Sequence, residues 1–164
     1  MKTFKYFLTV ILILLTNKIV FTQTAAPDKI VDVKVLLPHG VPSSGVVDAE
    51  VILNVKKGWH INANKPLDKD LSPTVLSFKE TEGIQVLKIT YPEPSLEKLP
   101  VSESQLALYE DEVIIKVRLK VDKKRLKQPL ALEGEVKYQP CNNQTCLFPA
   151  SKPFSIDLNS RKKK

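Results

Sequence analysis

Val113-Ile114-Ile115-Lys116-Val117-Arg118-Leu119-Lys120-Val121 places an apolar side chain at every odd position and, after Ile114, a charged one at every even position. Successive side chains of an extended strand point to opposite faces, so this period of two marks a strand with one face in a core and one in water. The same alternation runs through Val47, Ala49, Val51, Leu53 and Val55, and through Val31, Val33, Val35 and Leu37. It recurs in Leu87, Ile89 and Tyr91, in Leu130, Leu132, Val136 and Tyr138, and in Phe154, Ile156 and Leu158. A further strand is expected around residues 74–78. Turn formers separate the runs: Pro38-His39-Gly40, Lys57-Gly58, Glu82-Gly83, Pro92-Glu93-Pro94 and Gln128-Pro129. No segment holds a helical period for a dozen residues. About seven short strands with proline and glycine between them predict an all-β fold, an immunoglobulin-like antiparallel β-sandwich. Residues 92–111 carry no strong strand pattern and read as a long loop, the part of a sandwich where function usually sits.

The chain of 164 residues has the length of one domain. Its start reads as a secretory signal: Lys2 and Lys5 precede a short apolar run over residues 8–15, which Asn17 and Lys18 end. That run falls short of the roughly 20 apolar residues of a membrane-spanning helix. The expected division is a signal peptide over 1–23, cleaved between 22 and 26, a β-sandwich over 24–160, and a basic disordered tail over 161–164. An uncleaved leader acting as an anchor is the alternative; once the leader is removed, no stable membrane insertion is expected. The formal charge of +7 comes from Lys2, Lys5 and Lys18 in the leader and from Arg161, Lys162, Lys163 and Lys164 in the tail, so the body is neutral. A neutral body lacks the clustered basic face that nucleic-acid binding needs.

Only two cysteines are present, in Tyr138-Gln139-Pro140-Cys141-Asn142-Asn143-Gln144-Thr145-Cys146-Leu147-Phe148-Pro149. In an exported chain they are expected to pair. The pair is too close in sequence to be the staple that joins the two sheets of an immunoglobulin domain. It closes a ring of six residues, which by loop entropy stabilises the fold by about 2 kcal/mol. Two readings stand side by side. One is a structural clip across a turn. The other is a redox-active dithiol that exchanges through a mixed disulfide. Spacing does not separate them, and the ring holds no basic residue to lower a thiol pKa. A zinc site would have to recruit His39 and His60, which lack ligand spacing and read as turn or strand-end residues. Phosphate-binding, serine-hydrolase and metalloprotease motifs are absent from the sequence. Asn143-Gln144-Thr145 is a glycosylation triplet of the kind that arises by chance.

Several segments taken together resemble the N-terminal periplasmic domain of the DsbD-type thiol:disulfide interchange proteins, the protein-disulfide reductase family. Gly58-Trp59-His60-Ile61-Asn62-Ala63-Asn64-Lys65-Pro66 is similar to that family's G-[WY]-H-I-N segment. Pro73-Thr74-Val75-Leu76, Tyr91-Pro92-Glu93-Pro94 and Leu108-Tyr109-Glu110 come next, in the family's order. The most specific match is Tyr138-Gln139-x-Cys141, four residues, then Cys146. The resemblance spans roughly residues 30–158.

The resemblance implies the same sandwich and a redox role for the cysteines. Electrons would come from a thioredoxin-like or membrane-embedded donor and pass to oxidised periplasmic disulfide proteins, such as disulfide isomerases or cytochrome c maturation proteins. It assigns the mixed disulfide to Cys146, the resolving thiol to Cys141, and a shielding cap to Leu108 or Tyr109. No cofactor and no metal are implied, since the chemistry is all sulfur. Two features depart from the family pattern. Phe148-Pro149 stands where many members have two prolines, and Leu108 stands at a position that is often Phe. The sequence also holds no membrane helices for electron transfer and no C-x-x-C thioredoxin-like segment, so a stand-alone copy with its redox partner on a separate chain is expected. The competing expectation is a non-catalytic immunoglobulin-like binding module stapled by Cys141 and Cys146.

Overall fold

The computed structural model describes residues 26–40, 45–122, 124–125 and 129–159; the leader and the basic tail expected from the sequence lie outside them. The deciding strand, β8 (Glu112–Val121), runs through the middle of the largest sheet. It pairs antiparallel with β2 (Val46–Val55) on one side and β5 (Ile84–Thr90) on the other, and β1 (Val31–Leu36) completes the order β1-β2-β8-β5. Val113, Ile115, Val117, Leu119 and Val121 are all buried, while Lys116, Arg118 and Lys120 are exposed. The register puts Ile115 opposite Val51 and Val117 opposite Ala49, so the buried faces of neighbouring strands coincide.

A second sheet has the order β11-β9-β4, from β11 (Ala150–Asp157), β9 (Ala131–Tyr138) and β4 (Val75–Phe78). A third, of short strands, has the order β10-β3-β7-β6: β10 (Pro140–Cys141), β3 (His60–Asn62), β7 (Leu106–Tyr109) and β6 (Ser95–Glu97). The strand pairs of all three sheets are antiparallel. Leu76, Leu132, Val136, Tyr138 and Ile156 from the second sheet, with Ile61, Ala107 and Tyr109 from the third, meet the large sheet's apolar face in one core. Two β layers over one core make an immunoglobulin-like antiparallel β-sandwich. Burying each such aliphatic side chain stabilises it by about 2–3 kcal/mol.

Three departures from the simple alternation have local causes. Leu87, expected inward, is 46% exposed. The register of β5 against β8 shifts between Val86 and Lys88, and such a bulge switches the facing of the strand from one side of it to the other. Ile84 and Val86 before the bulge and Ile89 beyond it therefore pack on the core, and Leu87 turns outward. The run Leu132, Val136 skips a position at Gly134. A Cβ there would lie 2.6 Å from the Phe154 ring, which takes that space and stacks edge-on against Phe78 at 5.6 Å. Residues 92–111 are not one loop, because they contain β6 and β7. Every residue of β7 is buried, so its sequence shows no alternation to read.

Candidate functional site

Strand β9 ends at Tyr138, and one residue later the chain enters β10, crossing from the second sheet to the third. Gln139 is the crossing residue, and its side-chain amide holds three segments together. Its Oε1 accepts from the Asn62 Nδ2 (3.2 Å) and from the Ser72 backbone N–H (2.8 Å), and its Nε2 donates to the Leu147 carbonyl (3.1 Å). Asn62, fully buried, also donates to the Ser72 carbonyl, and the Thr74 hydroxyl donates to the Asn62 carbonyl at 2.6 Å. The Tyr138-Gln139-x-Cys141 segment is therefore a joint that fixes the cysteine ring to β3 and to the 72–74 segment.

Cys141 and Cys146 form a disulfide. Between them the chain turns on Asn142, whose Oδ1 accepts the N–H groups of Gln144 (2.8 Å) and Thr145 (2.9 Å) while its own N–H donates to the Thr145 carbonyl. An asparagine that satisfies the backbone two and three residues on is a ready turn former. The Leu147 N–H bonds the Pro140 carbonyl at 2.8 Å and closes the base of the ring. The two cysteines differ in environment. Cys141 is fully buried, and Cys146 is partly exposed at the rim.

Sheet alternation decides what faces the disulfide. Cys141 pairs with His60, Asn62 with Leu108, and Leu106 with Glu97. Directly opposite residues share a face, so Cys141, His60, Asn62, Leu106 and Leu108 lie on the outer face of the short sheet. Ile61, Ala107 and Tyr109 lie on the inner face, against the main core. Leu99, Leu106, Leu108 and Cys141 form a small apolar cluster separate from that core, with Leu71 and Cys146 packed at its edge.

Of the residues the sequence singled out, the structure brings Leu108 to the cysteine pair but not Tyr109. Both lie on strand β7, not on a loop as expected. The Tyr109 hydroxyl donates to Asn64 Oδ1 at 2.7 Å and lies 3.1 Å from the Pro92 carbonyl oxygen. Burial holds that phenol above its ordinary range, so it stays a donor. Sequence reading missed Leu99 and Leu71, which cover the pair from connecting segments. Nothing in a connecting segment's pattern marks such a leucine.

With this geometry in place, comparison with known proteins gives the family. The chain belongs to a thiol:disulfide interchange class: residues 22–158 match the family described as thiol:disulfide interchange protein DsbD, N-terminal. Among solved structures it is similar to the N-terminal periplasmic domain of ScsB from Proteus mirabilis, with 20% identity and a TM-score of 0.59. That alignment covers 83% of this chain and 50% of the ScsB domain, so the chain spans half the length of that relative. Looser overlaps occur with the GAE domain of yeast GGA1, with 10% identity, a TM-score of 0.39 and 77% and 88% of the two chains covered. The GAE domain of GGA2p from Saccharomyces cerevisiae gives 12%, 0.41, and 84% and 94%. Neither bears on function. No curated protein matches the chain.

Proposed function

We propose that this domain is an exported dithiol/disulfide carrier that relays electrons through Cys141 and Cys146 from a thioredoxin-like or membrane donor to oxidised envelope proteins. The observation that supports it is the asymmetry of the pair: one sulfur at the rim, one sealed among leucines. Exchange needs a sulfur a partner can reach and a second held ready to resolve the mixed disulfide. The basic and then apolar leader, with the family match, supports export to an oxidising compartment.

In the loading half-cycle a donor thiolate attacks the Cys146 sulfur, and Cys141 leaves as a thiolate. The donor's second thiol then attacks its own sulfur in the mixed disulfide, releasing Cys146 and leaving the donor oxidised. In the delivery half-cycle the Cys146 thiolate attacks a substrate disulfide and expels one substrate thiolate. Cys141 next attacks Cys146, re-forming the internal disulfide and releasing the second substrate thiol. Two electrons and two protons pass per cycle. Leu108, Leu99 and Leu71 act as the cap that keeps small oxidants off the reduced pair. Phe148, 87% exposed one residue beyond Leu147, offers an apolar contact to the docked partner.

The test is mixed-disulfide trapping in envelope extracts. A Cys141→Ala variant should accumulate a partner linked through Cys146, and Cys146→Ala should accumulate little. Equal trapping by both removes the division of roles. If neither traps and the native disulfide resists a thioredoxin-type reductant, the ring is a structural clip in a binding module.

A further inference from the structure

The disulfide face carries a second constellation that the thiol chemistry does not use. His60 begins β3, Glu97 ends β6, and Glu110 comes just after β7 in the short turn into β8. The β3–β7 ladder pairs Ile61 with Tyr109, so its next step sets Glu110 opposite His60, and Asp111, at φ 52°, follows in the turn. The His60 Nε2 lies 3.2 Å from Glu110 Oε2 and 3.8 Å from Glu97 Oε2, and the three donor atoms fall within 4.8 Å of one another. The imidazole is only 12% exposed, while the two carboxylates are 38% and 48% exposed. Its Nδ1 is buried without a hydrogen-bond partner, so the ring's polar engagement is through Nε2.

At 3.8 Å the Glu97 carboxylate is beyond hydrogen-bond reach of Nε2. Two carboxylates that could extend into water instead converge on one imidazole nitrogen, which costs Coulomb energy unless positive charge lies between them. A tetrahedral ion with bonds of about 2.0–2.2 Å needs ligand atoms about 3.4 Å apart, close to the 3.8 and 3.2 Å that separate Nε2 from the two carboxylate oxygens. One imidazole nitrogen and two carboxylate oxygens is a donor set that zinc takes, with a fourth position open.

We propose that His60, Glu97 and Glu110 form a binding site for a divalent cation of the zinc class. The site contains no cysteine, so it stands independently of the redox reading. It binds metal with the disulfide closed.

The experiment is calorimetric titration of the full chain, in its disulfide form, with zinc chloride and in parallel with magnesium chloride. The closed disulfide removes thiolates as competing ligands. Zinc should bind saturably at one ion per chain, and magnesium should give no saturable heat. Glu97→Gln and Glu110→Gln should each weaken zinc by about 10-fold or more, as loss of a supporting ligand does, and His60→Ala by more. The two carboxylates are half-exposed, so their glutamine variants fold, and they decide the matter if His60→Ala melts early. No saturable zinc binding, or an affinity unchanged in all three variants, overturns the site.

Discussion

The large sheet and the short sheet divide the work of this domain in opposite ways. In the large sheet, strands of 6 to 10 residues turn one face to the main core and the other outward, with the alternation interrupted at the bulge of β5 and at Ile52, which is buried on the outward face. In the short sheet, strands of 2 to 4 residues surround β7, which is packed on both faces, the inner one on the main core and the outer one on the small cluster of Leu99, Leu106, Leu108 and Cys141, while β6 at the edge leaves Leu96 exposed. The first arrangement yields stability through many equivalent contacts. The second holds a disulfide in an apolar cluster set apart from the main core. Separating the two apolar clusters lets chemistry at one face be tuned without unfolding the other.

That division makes its largest claim about Ile115. The side chain is fully buried at the centre of the large sheet, opposite Val51. Ile115→Ala should cost about 3–5 kcal/mol in denaturant unfolding, through lost burial and the cavity left behind. The folded fraction should keep its rate of disulfide reduction by dithiothreitol. Lys116→Ala, one residue away on the solvent face, should change stability by less than about 0.5 kcal/mol. A changed reduction rate in Ile115→Ala would mean that the two clusters are not separate.

The same contrast explains what the sequence could show. Period two reports a strand with one wet face, so β8 and β2 were legible residue by residue, and the fold class with them. Leu-Ala-Leu-Tyr in β7 has no wet face, and β3 and β10 are too short to show any period. The inward facing of Ile84 and Val86, and the outward one of Leu87, depends on a bulge that leaves no mark in composition. At the site, Cys141 and Cys146 were plain from their uniqueness, and Leu108 came from the family resemblance. Leu99, Leu71 and the meeting of His60 with Glu97 and Glu110 are products of tertiary register, which brings separate strands together.

A smaller effect is expected at Leu99, which covers Cys141 from the segment between β6 and β7 and is 4% exposed. Leu99→Ala should lower stability by about 2 kcal/mol, the low end for a buried leucine, because its cluster is small and close to the surface. The rate of disulfide reduction by dithiothreitol, and of re-oxidation by a small oxidant, should rise several-fold. The ordering of the two variants is the sharp point: Ile115→Ala is the worse for stability and Leu99→Ala the greater for reactivity. A Leu99→Ala protein with native reactivity would remove the leucine cover from the account of the pair.

The smallest effect, and the finest test of how the two regions are joined, concerns Tyr138. It is fully buried at the end of β9, just before the chain crosses to the cysteine ring, and its hydroxyl donates to the Pro27 carbonyl at 3.1 Å. Burial, and secondarily the Asp28 carboxylate, push its phenol up to about 12. The folded chain therefore keeps this proton where the unfolded chain, with an ordinary phenol near about 10, has begun to lose it. Below about pH 10 both states are protonated and the contribution is complete. Between about pH 10 and pH 12 the unfolded state binds fewer protons, so stability falls as pH rises. Tyr138→Phe should cost about 1 kcal/mol at neutral pH, the worth of one hydrogen bond. It should also make the alkaline decline measurably shallower, though not flat, since burial raises Tyr91 and Tyr109 as well. Denaturant unfolding at about pH 7, 10 and 11.5 reads both effects. Because Gln139 rather than Tyr138 holds the ring to β3, the reduction rate of the disulfide should not change. A faster rate in Tyr138→Phe would show that the end of β9 positions the ring as well as filling the core, and the boundary between the two regions would then lie within β9.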